Sequence, residues 1–212
     1  MNNVPKNLRF DLGIIASWIQ PGSRVLDLGC GEGNLLKILK DTRGVVGTGI
    51  EKDEKKVSRC IEKGLSVLQG DINREVMDYP DKAFDFVILS RTLQQVYDPP
   101  ALLQSILRVG RRAVVSFPSF SYWGIRLQLL LKGRAPVSRQ LPYQWYDTPN
   151  IRVMTLKDFR KFSVDVGFHI IREVAINSRQ EDGKGKIITF LPDLFATYGV
   201  FLISDRRDKA RG

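Results

Sequence analysis

The chain has 212 residues, 43% of them hydrophobic and 26% charged, an ordinary composition for a globular protein with a sizeable core. It holds no apolar run near the roughly 18 residues of a membrane span, and Asp11 and Gln20 interrupt its apolar N-terminal stretch, unlike a signal peptide. The formal net charge of +10 suits nucleic acid, an acidic protein partner or simply solubility. Because the basic residues are dispersed and no RNA-binding module is recognisable, we expect neither a membrane nor a nucleic-acid partner.

Cysteine and histidine are scarce. Cys30 and Cys60 do not form a C-x-x-C pair, so we expect no disulfide, no metal and a reducing, cytoplasmic location. His169 is the single histidine, which excludes a multi-histidine metal site.

The first predicted element is an amphipathic helix that Pro21 and Gly22 end. Its apolar residues recur at helical spacing and are Leu8, Leu12, Ile15, Trp18 and Ile19. An apolar strand follows at residues 25–28 and leads directly into a glycine-rich turn and a second helix.

The turn reads Gly29-x-Gly31-x-Gly33. Glycines let the backbone turn sharply and lie close to a ligand, and the N–H groups of the following helix turn favour a carboxylate or phosphate. Asp27 precedes the first glycine by two residues, where it would repel the pyrophosphate of a dinucleotide but attract the ammonium and sulfonium of S-adenosylmethionine. The motif therefore predicts a site for that cofactor at the carboxyl edge of a parallel sheet.

Three further strands end in residues that suit other parts of the same cofactor. Residues 45–50 end at Glu51, about 20 residues beyond the glycines, where a carboxylate binds two ribose hydroxyls. Residues 65–72 end in an acid and an apolar residue that suit an adenine, and the strand at 84–90 ends in a small polar residue near the expected sulfonium. The predicted cofactor-binding residues are Asp27, Gly29, Cys30, Gly31, Glu51, Lys52, Asp71, Ile72 and Ser90.

The remaining chain continues the alternation of helices and strands. Helices are predicted at 53–62, from Pro99-Pro100, and at 155–166, where Thr155 is the N-cap. Strands are predicted at 113–117, 168–176 and 198–204, the last two separated by a charged loop at 177–186.

The four strand ends between residues 20 and 120 together resemble the class I S-adenosylmethionine-dependent methyltransferases. This resemblance implies an α/β, Rossmann-like fold with helices on both faces of a mostly parallel, seven-stranded sheet and a C-terminal antiparallel hairpin. We expect a single domain over residues 1–212.

Residues 118–150 interrupt the alternation with prolines and aromatic residues, apart from a short helix predicted at 125–131. A long segment beside the cofactor site is usually functional, so it is predicted to be a substrate lid or a docking surface, with an extra core layer as the alternative. The candidate residues for either function are Trp123, Tyr143, Trp145, Tyr146 and Asp147.

No catalytic residue is evident. Asp98-Pro99-Pro100 resembles the D-P-P-Y motif of amino-methylating DNA enzymes, but it is displaced from the end of the fourth strand and is interpreted as a helix start. His169 begins the sixth strand, away from the expected cofactor mouth. Because methyl transfer can depend largely on positioning, this absence leaves open whether the protein is an enzyme.

A closer resemblance lies in residues 8–12, 89–95, 107–118 and 141–151, which are similar to the methionine biosynthesis protein MetW family. One departure is visible, because the family commonly reads F-P-N-F-x-H-W where this chain has serine and tyrosine at Ser119 and Tyr122. This chain therefore lacks the family's asparagine and histidine at these two positions.

The resemblance implies a role in methionine synthesis, in which members are thought to bind and stimulate a MetX-type homoserine O-acyltransferase. It also implies that S-adenosylmethionine or S-adenosylhomocysteine occupies the pocket, with no settled methyl acceptor. We therefore weigh three hypotheses: an acyltransferase partner first, a small-molecule methyltransferase second, and an RNA methyltransferase, motivated only by charge, third.

Overall fold

The computed structural model describes residues 9–178 and 183–206, which contain eight strands and eight α-helices. The strands are β1 (Arg24–Leu28), β2 (Val46–Glu51), β3 (Ser66–Gln69), β4 (Phe84–Ser90), β5 (Gly110–Pro118), β6 (Phe168–Ser178), β7 (Gly185–Ile187) and β8 (Tyr198–Asp205). The helices are α1 (Phe10–Trp18), α2 (Asn34–Arg43), α3 (Glu54–Glu62), α4 (Ile72–Glu75), α5 (Pro99–Val109), α6 (Trp123–Lys132), α7 (Leu156–Val166) and α8 (Pro192–Phe195). Two short 3-10 turns span Val76–Asp78 and Leu93–Gln95.

All eight strands form one sheet in the order β3-β2-β1-β4-β5-β8-β6-β7. The pairings from β3 through β5 are parallel, whereas β8 lies antiparallel between β5 and β6. The strand order reverses between β1 and β4, and ligands of open α/β sheets bind outside the carboxyl ends of the strands at such a point. The topology therefore places the glycine turn after β1 at a crevice.

Alternate residues of the central strands point to opposite faces of the sheet, and each face has its own core. On one face, Val25 and Phe86 pack with α1 and α2. On the other, Leu26 and Val87 pack with α5 and α7, where Phe159 lies among the buried aromatic rings. Strands buried on both faces read as nearly continuous apolar runs, which is why the sequence identified them.

The predicted fold class is confirmed, including the helices on both faces and the antiparallel pair that closes the sheet. The strand count is eight rather than seven, because the three-residue β7 pairs with β6. Strand β7 begins inside the segment predicted as a loop at 177–186 and ends one residue beyond it. All three residues of β7 are exposed, so no alternation of burial marks it in the sequence.

The third strand is shorter than the predicted 65–72. Its last two residues were predicted to be extended, but Asp71 accepts a hydrogen bond from the Asn73 N–H at 2.9 Å and caps α4, which begins at Ile72. An N-cap aspartate competes effectively with strand geometry. Two predicted helix starts are confirmed, since Asp98 caps α5 and Thr155 forms a capping box with Asp158 in α7.

Leu8 of the predicted first helix and residues 179–182 of the predicted loop lie outside the described residues. Within the described ranges, no helix has the length and apolar character needed to cross a membrane.

Candidate functional site

A pocket of about 590 Å³ lies at the carboxyl ends of β1 and β4. It contains five of the predicted cofactor-binding residues, namely Asp27, Gly29, Cys30, Gly31 and Ser90. Arg9, which precedes α1, also lines the pocket, together with Leu12 of α1 and Lys37 of α2.

The three glycines of the turn have different functions. All have positive φ, between +58° and +74°, which favours glycine. A Cβ at Gly29 would lie 2.8 Å from Thr92 Oγ1, and a Cβ at Gly33 would lie 2.4 Å from Leu65 Cδ1. A Cβ at Gly31 would meet nothing within 4 Å, and Gly31 lines the pocket. Gly29 and Gly33 therefore serve packing, whereas Gly31 leaves space for a ligand.

Glu51 at the end of β2 holds the glycine turn in place. Its Oε2 accepts the Gly31 N–H at 2.8 Å, and its Oε1 accepts the N–H groups of Lys52 and Asp53, both at 3.0 Å. Three backbone donors thus fix the carboxylate at the edge of the pocket, while the Lys52 side chain is exposed. The contact of Glu51 with the pocket is indirect, through its hydrogen bond with Gly31.

Asp71 and Ile72 are not among the residues that line this pocket. The Asp71 carboxylate accepts hydrogen bonds from the backbone and side-chain nitrogens of Asn73. These bonds lower its pKa. Both residues follow β3, the neighbour of β2, so they lie along the same edge of the sheet.

Asp27 is the most unusual group in the pocket. It is 3% exposed, and none of the described residues donates a hydrogen bond to its side chain. Burial raises its pKa to about 7, with the Arg9 guanidinium opposing the shift and the Glu51 carboxylate adding to it. A buried carboxylate without a donor favours a cation, since a nearby positive charge stabilises its ionised form.

Arg9 and Asp11 belong to a charged network that the sequence did not indicate. Arg9 donates two hydrogen bonds to the fully buried Asp11, at 3.2 and 2.9 Å, and one to Ser90 Oγ at 3.2 Å. Arg91 donates two more to the same carboxylate, both at 3.0 Å, and its guanidinium lies 3.9 Å from the ring centre of Tyr198. Two guanidinium groups thus share one buried carboxylate beside the pocket.

Opposing effects determine the pKa of Asp11. Burial raises it, but the charges and hydrogen bonds of Arg91 and Arg9 outweigh burial and hold the pKa below its ordinary value. The carboxylate therefore stays ionised and orients Arg9 toward the pocket. The sequence shows only an arginine and an aspartate two residues apart at the start of an apolar helix. It does not indicate that Arg91, 80 residues away, also binds this aspartate.

The nucleophilic groups of the described residues do not suggest covalent chemistry. Burial and the nearby Asp27 carboxylate raise the pKa of the Cys30 thiol, and burial also raises that of Cys60, so both thiols stay protonated. His169 lines a different cavity of about 530 Å³ with Arg111 and Arg112, at the amino ends of β4 and β5. The described residues contain no cluster of acids, cysteines and histidines that could hold a metal ion.

The inserted segment presents an apolar surface next to this edge of the sheet. Trp123, Tyr143, Trp145 and Tyr146 are between 45% and 75% exposed, and Asp147 is exposed beside them. Helix α6 adds exposed leucines at positions 127, 129, 130 and 131. We call these α6 leucines and the exposed residues 143–147 the insertion surface. The sequence predicted the aromatic residues, but it did not indicate that all four leucines of α6 are exposed.

The model of the family described as methionine biosynthesis protein MetW matches residues 9–203. A bifunctional methionine biosynthesis protein MetXA/MetW from Rhodopirellula baltica is 35% identical over 176 residues, covering 79% of this chain and 28% of that protein. A ubiquinone/menaquinone biosynthesis C-methyltransferase UbiE from Stenotrophomonas maltophilia is 30% identical over 118 residues, covering 49% of this chain and 46% of that protein. The chain thus spans less than half the length of either relative.

A crystal structure of a SAM-dependent methyltransferase from Archaeoglobus fulgidus has a TM-score of 0.67 at 17% identity. The match covers 91% of this chain and 90% of that one. The likeness shows that the chain has the class I methyltransferase fold.

Proposed function

Since the chain belongs to the methionine biosynthesis protein MetW family, we propose that it binds a MetX-type homoserine O-acyltransferase and stimulates it. The observation that carries this proposal is the Rhodopirellula relative, whose name joins MetXA and MetW in one polypeptide. Joining two proteins in one chain keeps them at high effective concentration, which favours pairs that act in contact.

The insertion surface is the proposed docking site for the acyltransferase. Exposed apolar patches of this kind commonly mark protein interfaces, and tryptophan and tyrosine concentrate interface energy. Trp145 and Tyr146 form an edge-to-face pair with ring centres 5.7 Å apart and are 75% and 71% exposed. We propose this pair as the anchor.

The pocket is proposed to bind S-adenosylmethionine or S-adenosylhomocysteine. Asp27 offers a carboxylate to the ammonium and sulfonium, and Arg9 offers a guanidinium to the carboxylate of the amino-acid group. Gly31 leaves the space for close approach, and Glu51 is proposed to reach the ribose from beside it. Asp71 and Ile72 are proposed for the adenine, Ser90 for the floor near the sulfonium, and Cys30 and Lys52 for the surrounding wall.

The proposal is tested with a purified MetX-type acyltransferase, whose rate of homoserine acylation is measured with and without an equimolar amount of this protein. We expect a several-fold rise and a complex on gel filtration. The double variant Trp145→Ala, Tyr146→Ala should lose both. Ile61→Ala removes an exposed apolar side chain of α3 and should retain both. An unchanged rate without a complex contradicts the proposal.

Methyl transfer to a small molecule is the second candidate function. The charges of Asp27 and Arg9 favour it, because they match the ammonium and carboxylate of S-adenosylmethionine. The insertion would then serve as a lid. The test is the conversion of isotope-labelled S-adenosylmethionine to S-adenosylhomocysteine in the presence of fractionated cell metabolites. No conversion in any fraction counts against this function.

A further inference from the structure

A second pocket, of about 210 Å³, lies beneath the irregular chain that follows α6. Its walls are Gln94 in the turn after β4, Pro118 at the end of β5, Phe120, and residues between 135 and 154. Because β4 and β5 are parallel neighbours, this pocket opens along the same sheet edge as the proposed cofactor pocket.

One buried atom of a residue that lines this pocket has no hydrogen-bond partner. Gln94 is 5% exposed, and its Nε2 donates to the Arg91 carbonyl oxygen at 2.6 Å. That bond orients the side-chain amide, and Oε1 is left buried with no donor among the described residues. Buried acceptors without a partner are rare in folded proteins, so Gln94 Oε1 indicates a missing donor at this position.

The remaining wall defines what kind of molecule would fit. Apolar side chains dominate it, including Phe120, Leu141 and Met154, and no aspartate or glutamate belongs to the lining. Arg152 also lines the pocket, and its guanidinium donates to the carbonyl oxygens of Val96 and Tyr97. A cation would therefore find no counter-charge in the lining. An uncharged molecule needs none, and an anion has Arg152 as its counter-charge.

The size of the pocket limits the ligand further. Because liquid water occupies about 30 Å³ per molecule, 210 Å³ holds about seven waters. This is the volume of a single aromatic ring or a short branched chain. Small-molecule sites typically combine such an apolar cavity with a few placed polar groups.

We propose that this pocket binds a small uncharged or anionic molecule that has an apolar body and an O–H or N–H group donating to Gln94 Oε1. The inference goes beyond the proposed acyltransferase partnership and does not depend on it. Because Trp145 lines this pocket and also belongs to the insertion surface, the bound molecule would lie directly beside the proposed docking site.

The test uses phenol and toluene, which have the same number of non-hydrogen atoms and differ in the donor. The full chain is labelled with ¹⁵N, and the indole N–H signal of Trp145, assigned with a Trp145→Phe variant, is followed during titration. We expect saturable shifts and about fivefold tighter binding of phenol, the factor for one neutral hydrogen bond. Benzylammonium, which has N–H donors and a positive charge, should bind more weakly than phenol.

The matched variants are Gln94→Met and Gln95→Met. The first removes the acceptor and should abolish the preference for phenol, whereas the second alters the exposed neighbour and should preserve it. Equal binding of the two probes to the wild type, no response of Trp145, or a phenol preference that survives Gln94→Met overturns the proposal. The wild-type comparison decides the matter even where Gln94→Met does not fold.

Discussion

Replacing Asp27 by asparagine should change protein stability and ligand binding in opposite directions. The folded pKa of this carboxyl is about 7, against an ordinary value of 3.8. A group whose pKa is raised by folding stabilises the protein fully below its unfolded pKa, and this contribution is lost as the pH rises through the folded pKa. Because asparagine does not ionise, Asp27→Asn escapes this loss.

The magnitude follows from the two pKa values. Between pH 5 and pH 7 the unfolded carboxyl has released its proton while the folded one retains most of its own, at a cost of about 1.4 kcal/mol per pH unit. The free energy of unfolding of Asp27→Asn, minus that of the wild type, should therefore grow by about 2–3 kcal/mol from pH 5 to pH 7.5. Urea unfolding followed by circular dichroism at both pH values measures the difference.

Binding should change in the other direction. In the wild type, the affinity for S-adenosylmethionine should fall as the pH drops below about 7, because protonation removes the charge that attracts the cation. At pH 7.5, Asp27→Asn should bind about 10- to 100-fold more weakly, the usual effect of losing a charged hydrogen-bond partner, and its affinity should not vary with pH. Isothermal titration calorimetry measures both.

Asp85→Asn is the matched control for this pair of measurements. Asp85 accepts the Arg24 backbone N–H at 2.8 Å and pairs with two arginines at the opposite edge of the sheet. The control should bind S-adenosylmethionine like the wild type. Wild-type affinity in Asp27→Asn, or a stability difference that does not grow with pH, would refute the assignment of Asp27 as the buried, cation-binding carboxylate.

Three further variants test the surroundings of the pocket. Glu51→Ala should weaken S-adenosylmethionine binding by about 1–3 kcal/mol in calorimetry, because the Gly31 N–H loses its acceptor. The control Glu54→Ala, in the exposed first turn of α3, should not weaken binding. Equal effects of the two variants would place the pocket elsewhere. Gly31→Ala and Gly44→Ala each put a Cβ at positive φ in open space, so each should cost about 1–2 kcal/mol of stability. Only Gly31→Ala should abolish S-adenosylmethionine binding. Binding retained in Gly31→Ala would contradict the proposal that Gly31 leaves space for the ligand. Asp11→Ala leaves a buried guanidinium without its carboxylate and should cost about 3–5 kcal/mol in urea unfolding; a loss below 1 kcal/mol would show that the network contributes little.

Local sequence patterns were enough to predict the parts of this protein that depend on neighbouring residues. The apolar strands, the capped helices and the glycine turn with Asp27 are local patterns of burial, hydrogen bonding and backbone conformation. Their order along the chain indicated the parallel sheet, because short connections and right-handed crossovers leave few arrangements. The structure confirms the fold, and it brings Asp27, the glycine turn and Ser90 together in one pocket.

Which polar groups are buried, and what they contact, follows from the packing of distant segments. Asp11 interrupts an apolar helix as a surface residue would, yet it is fully buried because Arg91, 80 residues away, reaches it. Gln94 has no local feature that marks its Oε1 as unpartnered. Burial and pairing between distant segments depend on how elements pack, and side-chain periodicity within one element carries no record of that packing.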